Sequence, residues 1–129
     1  MAKSNLIVEA TYAFALQAME TSRQIRERKE FELASQLWRS GTSIGANVEE
    51  AQAAQSRADF LSKMAIAAKE ARETRYWLRL TRDGKILPAA TIDPLLEEIE
   101  SILRILTSIV KTTSESKIQN PKSKMAPTP

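Results

Sequence analysis

An apolar heptad between Ala34 and Ala51 is the feature that most constrains the fold. Its members alternate three-residue and four-residue spacings, and they are Ala34, Leu37, Gly41, Ile44, Val48 and Ala51. This alternation lines one side of a helix with apolar side chains and is typical of the seam of a close-packed bundle. Gly41 and Gly45 each cost about 1 kcal/mol of helix propensity relative to alanine. They predict either a kink or the close approach of a neighbouring helix, and the unbroken heptad favours the close approach.

A polar stripe runs beside this heptad. Its four members are separated by three, four and three residues, and they are Ser40, Ser43, Asn47 and Glu50. Buried amides and carboxylates are costly unless they are hydrogen-bonded, so these side chains predict polar partners on another helix or on another copy of the chain. We expect Glu50 and Glu73 to be acceptors in a buried network that sets the helix register. Their donors would be Arg39, Asn47 or serine hydroxyls.

The rest of the chain predicts three more helices and their ends. The heptad helix starts near residue 30, and the other predicted helices are 4–28, 56–82 and 93–113. Ser56 is a predicted N-cap, with Asp59 three residues later in the manner of a capping box. Asp83 and Gly84 predict a left-handed stop after the third helix, and Pro88 should prevent its resumption.

Four helices with short connections predict an all-α protein that folds as an antiparallel up-down-up-down bundle. Only three glycines and 5% aromatic residues favour helix over sheet. We expect one domain over residues 1–113 and a disordered tail at 114–129, because the tail is polar, proline-bearing and aperiodic. No stretch approaches the roughly 18 consecutive apolar residues that would span a bilayer, so we expect no membrane association and a cytoplasmic protein.

The residue types that are missing weaken most enzyme hypotheses. The chain has no cysteine and no histidine, so it lacks thiolate nucleophiles, the usual near-neutral general base and the usual metal ligands. Inward glutamates can bind two irons in a helical bundle, and the candidates are Glu49, Glu50, Glu70 and Glu73. That type of site also needs a histidine three residues after a glutamate on two helices. We therefore predict a non-enzymatic protein without catalytic residues, metal or cofactor.

A basic stripe on the third helix is the candidate nucleic-acid surface. Four arginines follow three-four-three spacing, with Lys69 and Tyr76 at the edge of the stripe, and they are Arg72, Arg75, Arg79 and Arg82. The planar fork of arginine suits phosphate oxygens, so a row at one-turn intervals can follow an RNA or DNA backbone without reading its sequence. The alternative is a solvated face that pairs with acidic residues of the fourth helix, such as Glu97, Glu98 and Glu100.

The third helix also carries two apolar faces. One contains Phe60, Met64, Ala67, Ala71 and Leu78. The second lies about 120° away around the helix and contains Ile66, Trp77 and Leu80. One face can serve the bundle interior and the other a subunit interface, so we predict a homo-oligomer. Trp77 is then either a core residue or an interface anchor.

Several segments together resemble a known family. They are Gln36–Arg39, Ser43–Glu50, Ser56–Phe60 and Ile66–Glu73. These segments resemble the bacterial four-helix-bundle proteins encoded in intervening sequences of large-subunit ribosomal RNA genes, and the resemblance covers about residues 5–112. It implies structural roles for the residues that match the family pattern position by position, which are Arg39, Ser43, Asn47, Glu50 and Glu73.

This resemblance implies a four-helix protomer that assembles into a homopentameric ring. A related accessory protein of diversity-generating retroelements binds nucleic acid and a reverse transcriptase through a basic surface. Our leading hypothesis is therefore a non-enzymatic homo-oligomer, pentameric by this resemblance, that contacts RNA or DNA. The alternative is a protein-interaction scaffold or accessory subunit that binds a partner protein, such as a reverse transcriptase, and no nucleic acid.

Overall fold

The computed structural model describes residues 2–125, with side chains described for residues 6–115. Its helices are α1 (Ala2–Glu27), α2 (Phe31–Gln52), α3 (Arg57–Asp83) and α4 (Ala89–Met125). Residues 2–125 contain no strand, so the predicted all-α class is confirmed. No helix in this range combines the length and the apolar character that crossing a membrane requires.

The four helices surround one apolar core. α1 packs on α2, α2 on α3 and α3 on α4, and a smaller contact joins α1 to α4. Among the described residues, α1 does not pack on α3 and α2 does not pack on α4, so each of these pairs occupies opposite corners. The heptad of α2 is buried along its whole length, as predicted. It belongs to the same core as fully buried side chains of the other helices, including Phe14, Ile25, Met64, Leu78, Ile99 and Leu106.

Two glycines of α2 mark the close approach of α1. α2 runs without a break through Gly41 and Gly45, and both glycines are buried. A Cβ added to Gly41 would lie 2.6 Å from the Cβ of Ala18, and one added to Gly45 would lie 3.3 Å from the backbone oxygen of Thr11. At Gly41 only a residue without a Cβ lets the two helices come this near, and at Gly45 an added Cβ would press on the backbone of Thr11. Of the two alternatives that the glycines predicted, close approach is confirmed.

The N-terminal end of α3 agrees with its prediction, and the C-terminal end does not. Ser56 is the N-cap, as predicted, and its Oγ accepts a hydrogen bond from the backbone N–H of Asp59 at 3.0 Å. The predicted left-handed glycine is wrong, because Gly84 has a φ of −79° and the left-handed residue is Lys85, with a φ of 60°. Glycine at position 84 provides space, since a Cβ there would lie 2.7 Å from the carbonyl oxygen of Leu80.

The start of α4 differs from the predicted start at residue 93. The carbonyl oxygen of Pro88 accepts hydrogen bonds from the backbone N–H groups of Thr91 at 2.9 Å and Ile92 at 3.2 Å. Pro88 therefore opens the helix, which begins at Ala89, rather than preventing it. The first N–H groups of a helix have no partner within it, so a proline at this point sacrifices no helical hydrogen bond.

The end of α4 also differs from the predicted end near residue 113. The helix continues to Met125, through most of the segment 114–129 that we expected to be a disordered tail. Residues 114–120 contain neither glycine nor proline. Most of these residues are polar, and polarity does not oppose a helix, because most polar residues have adequate helix propensity. Residues 126–129 lie outside the described residues.

Candidate functional site

A polar network joins α2 to α3 at the surface of the bundle. Arg39 Nη1 donates to Glu70 Oε1 at 3.3 Å, and Arg39 Nη2 donates to Glu73 Oε2. Trp77 Nε1 donates to the same Glu73 oxygen at 3.0 Å. The predicted contact between Arg39 and Glu73 is therefore present. It is half-exposed rather than buried, since 47% of the Arg39 side chain and 31% of the Glu73 side chain are exposed.

Three residues predicted for this network make other contacts. Ser43 Oγ donates to the carbonyl oxygen of Arg39 at 2.7 Å, and Asn47 Nδ2 donates to that of Ser43 at 2.9 Å. Glu50 is exposed and pairs with Lys63, whose Nζ lies 3.5 Å away. Within one chain these residues form no buried network, because a helical serine or asparagine can bond to the turn before it and then needs no partner elsewhere.

One polar contact between α2 and α3 is buried. Thr74 Oγ1 lies 2.9 Å from Ser40 Oγ and 2.8 Å from the carbonyl oxygen of Glu70. Ser40 and Thr74 are both fully buried. Ser40 was part of the predicted polar stripe, whereas Thr74 was missed. The signal for Thr74 was its place on the buried side of α3, between Ala71 and Leu78, where a hydroxyl needs a partner.

Two arginines of the basic stripe are paired. Arg75 Nη1 lies 3.2 Å from Glu100 Oε2, and Arg82 Nη1 lies 3.1 Å from Asp93 Oδ1, so both pair with α4. Arg82 Nε also donates to Asp83 Oδ1 at 2.8 Å. Its hydrogen bonds to Asp83 and Asp93 raise the pKa of Arg82, and the bond from Arg82 lowers the pKa of Asp83. For these two arginines the structure contains the pairing that we had named as the alternative.

The other cations of the stripe are exposed. Lys69, Arg72 and Arg79 form no ion pair with any residue whose side chain is described. Arg72 also borders an open groove of about 450 Å³ between α3 and α4, where Lys111 lies on the opposite side. The exposed guanidinium and ammonium groups of these residues can therefore bind an anion. We call Lys69, Arg72 and Arg79 the free α3 cations.

The second apolar face of α3 is exposed, as a subunit interface would require. Ile66 is 37% exposed and Leu80 is 41% exposed. We call these two residues the α3 face, and Tyr76, at the edge of the basic stripe, is 52% exposed beside them. Trp77 beside them is half-buried, packs against the core and meets the Tyr76 ring edge-on, with 5.1 Å between ring centroids. Trp77 thus contacts the core while part of it reaches the surface.

A second exposed apolar surface lies on α1, and sequence reasoning missed it. Leu6 is 56% exposed, Tyr12 is 63% exposed and Leu16 is 52% exposed. Tyr12 and Leu16 lie on one side of α1, and we call this pair the α1 face, whereas Leu6 lies about 120° from Tyr12 around the helix. The signal in the sequence was the pair Tyr12 and Leu16, which are four residues apart and lie away from the apolar side of the helix. Clustered exposed apolar side chains of this kind mark interaction surfaces.

The acidic residues considered for a metal site do not form one cluster. Glu49 is exposed, Glu50 pairs with Lys63, and Glu70 and Glu73 both pair with Arg39. Over the part of the chain with described side chains, no three acidic residues come together as a group that could hold a metal ion.

Comparisons with known proteins identify the family of the chain and a similar solved structure. The model of a family described as 23S rRNA-intervening sequence protein matches residues 3–108, which confirms the resemblance. A solved structure of a protein of unknown function from the S23 ribosomal protein family of Bacteroides thetaiotaomicron is also similar. It shares 40% sequence identity with a TM-score of 0.81, over 84% of this chain and 98% of that chain. No curated protein matches the chain.

Proposed function

Since the chain belongs to the 23S rRNA-intervening sequence protein family, we propose that it is a non-enzymatic protein whose antiparallel four-helix protomers assemble into a homopentameric ring. In this proposal the ring acts in the cytoplasm, needs no cofactor and binds the backbone of RNA or DNA through the free α3 cations. The observation that carries the proposal is the presence of two exposed apolar faces on helices at opposite corners of the bundle.

The antiparallel arrangement is supported by the order of contacts between neighbouring helices. Ser40 of α2 meets Thr74 of α3, and Glu50, further along α2, meets Lys63, which lies earlier in α3. Residue numbers therefore rise on one helix as they fall on the other. The same order holds between α3 and α4, whose ion pairs are Arg75 with Glu100 and Arg82 with Asp93.

Assembly pairs the α3 face of one copy with the α1 face of the next. The two faces differ and lie on opposite corners, so each copy would use one face for each neighbour. Such heterologous contacts close into a ring when the rotation between copies is a whole fraction of a turn. Apolar area removed from water contributes about 25 cal/mol per Å², which is the driving force for this contact. The number of five copies rests on the family resemblance.

Backbone binding is supported by the free α3 cations. Their charges are not neutralised by ion pairs with described side chains, in contrast to Arg75 and Arg82. In a ring each cation is repeated once per subunit, so a polyanion can meet several copies together and bind more tightly than to one copy. Contacts of this kind release counterions and are therefore weakened by salt.

Light scattering tests the assembly. We expect a mass several times the 14.4 kDa of the chain. Leu80→Asp on the α3 face or Tyr12→Asp on the α1 face should reduce it to that of one chain, because assembly would bury an unpaired carboxylate. Ala46→Asp is the matched control, since Ala46 is exposed on α2 outside both faces. A single-chain mass for the unaltered protein at micromolar concentration would contradict the proposal.

Two charge-matched variants test nucleic-acid binding. The double change Arg72→Ala and Arg79→Ala should weaken RNA or DNA binding and flatten its salt dependence, by about one unit of slope for each phosphate that the variant no longer neutralises. Arg75→Ala with Arg82→Ala removes the same charge from arginines that are already paired, so it should weaken binding less. Equal effects of the two variants would mean that binding follows net charge rather than the free α3 cations.

The second candidate function is a protein-interaction scaffold that does not bind nucleic acid. It is favoured by the ion pairs of Arg75 and Arg82, which neutralise half of the arginine stripe. In that case the purified protein would show no salt-dependent binding to RNA or DNA. Its exposed apolar faces would then bind a partner protein, such as a reverse transcriptase, and Leu80→Asp would weaken that contact.

A further inference from the structure

A groove of about 520 Å³ lies between α1 and α2, away from the free α3 cations. Its lining includes two arginines of α1, a tryptophan and a serine of α2, and a buried serine of α1, which are Arg23, Arg26, Trp38, Ser35 and Ser22. Volumes of this order are typical of sites for small molecules.

Aromatic rings hold the two arginines of α1 in place. The guanidinium carbon of Arg23 lies 5.5 Å from the centre of the Trp38 ring, and that of Arg26 lies 5.8 Å from the centre of the Phe31 ring. A guanidinium that stacks on a ring keeps its N–H groups pointing outward in its own plane. Arg26 has no ion pair among residues 6–115, and Arg23 has only a long contact, 3.5 Å, with exposed Glu20.

The third arginine at this groove is already occupied. Arg39 borders the groove, but its guanidinium donates to Gln36, Glu70 and Glu73. Arg39 therefore forms part of the groove wall. The positive charge that is available to a ligand comes from Arg23 and Arg26.

A buried hydroxyl without a partner gives independent evidence for a ligand. Ser22 is 2% exposed, lines the groove, and its Oγ has no hydrogen-bond partner among the described residues. The adjacent residue shows the usual arrangement, since Thr21 Oγ1 donates to the carbonyl oxygen of Gln17 at 2.9 Å. Buried polar groups are nearly always hydrogen-bonded, and an exception calls for a ligand or another explanation.

We propose that this groove binds the phosphate group of a small phosphorylated molecule. Arg23 and Arg26 donate charge-assisted hydrogen bonds to the phosphate oxygens. The Ser22 Oγ is enclosed in the free protein, and its side chain turns toward the groove to donate to the nearest phosphate oxygen. Ser35 supplies a further hydroxyl from α2, and the Trp38 ring forms the apolar side. This site is separate from the surface proposed to bind nucleic acid, so either proposal can be wrong while the other holds.

Tryptophan fluorescence can report binding at this groove. The chain has two tryptophans, so Trp77→Phe leaves Trp38 as the reporter. Pyrophosphate, which absorbs no light at these wavelengths, and a 5′-mononucleotide are the probes. We expect a saturable change in Trp38 fluorescence. Calorimetry on the chain without the Trp77 change repeats the measurement should that variant fail to fold.

Charge-matched variants decide the outcome. Arg23→Ala with Arg26→Ala should raise the dissociation constant for pyrophosphate by about tenfold or more, and Ser22→Ala should raise it by a smaller factor. Lys85→Asn with Arg104→Ala removes the same charge from exposed positions outside both proposed sites and should leave it unchanged. The proposal is overturned if neither probe binds saturably, if both double variants weaken binding equally, or if single-stranded RNA binds at Arg23 and Arg26 while both small probes do not.

Discussion

α2 meets its two neighbours in different ways. Against α1 it presents glycines, and the helices come so close that a Cβ at Gly41 would lie 2.6 Å from Ala18. Against α3 it presents polar side chains, with the hydroxyls of Ser40 and Thr74 buried 2.9 Å apart and Arg39 bonded to glutamates. The α1–α2 contact depends on glycines that lack a Cβ. The α2–α3 contact depends on side chains that form hydrogen bonds and ion pairs with each other. Added volume should therefore damage the α1–α2 contact, and the loss of a polar partner should damage the α2–α3 contact.

The largest effect is expected from added volume at the glycine contact. Gly41→Leu should lower the free energy of unfolding by about 3 kcal/mol, because neither backbone can move away without separating α1 from α2. Chemical denaturation measures the change. Ala46→Leu is the matched control, since Ala46 is exposed on the same helix and should change stability by no more than about 0.5 kcal/mol.

A paired substitution sharpens this prediction. Gly41→Ala gains about 1 kcal/mol of helix propensity but meets Ala18, so Ala18→Gly in the same chain should relieve the clash. The double variant should be more stable than the two single changes predict by addition. Additive effects would mean that the helices are not held at this distance by the two residues.

An intermediate effect is expected from the buried hydroxyl pair. Ser40→Ala and Thr74→Val should each cost about 1 kcal/mol, the usual net value of a hydrogen bond. The double variant should cost less than the sum, because it leaves neither hydroxyl without its partner. A double-mutant cycle measured by denaturation gives the coupling, and zero coupling would show that each hydroxyl relies on its own helix instead.

The smallest effect is expected from the exposed part of the α2–α3 contact. Arg39→Met should cost at most about 1 kcal/mol, because 47% of this side chain is exposed and solvent screens its ion pairs. Glu50→Ala should cost still less, since Glu50 has one long contact with Lys63 at the surface. Thermal unfolding of both variants measures these changes. A loss of several kcal/mol for Arg39→Met would mean that the network is buried in the working protein, as it would be inside an assembly.

Periodicity predicted the fold more completely than it predicted the site. The heptad predicted the seam of α2, and the Ser56 cap was predicted by a local pattern that involves only one turn of chain. Gly84 shows the limit of local reasoning, because its role depends on its distance from Leu80 and not on a left-handed φ. The ends of α4 were misjudged for a similar reason, since polarity describes exposure and not helix length.

The candidate site was predicted only in outline. The basic stripe was found as four arginines on one side of a helix, but their ion pairs depend on which residues of α4 lie opposite. The α1 face and the groove at Arg23 and Arg26 were missed, because both combine residues whose exposure follows from how α1 packs on α2. Spacing along one helix carries no information about either.

The sequence by itself determined the helical class, the buried seam of α2, its two close-packing glycines and the family of this protein. These follow from periodicity and residue type, which act within a few turns of one helix. Only the tertiary structure decided which hydroxyls bond across helices, which cations remain unpaired and where a buried serine lacks a partner. Those outcomes depend on distances of a few ångströms between helices, because hydrogen bonds and ion pairs lose their strength beyond that range.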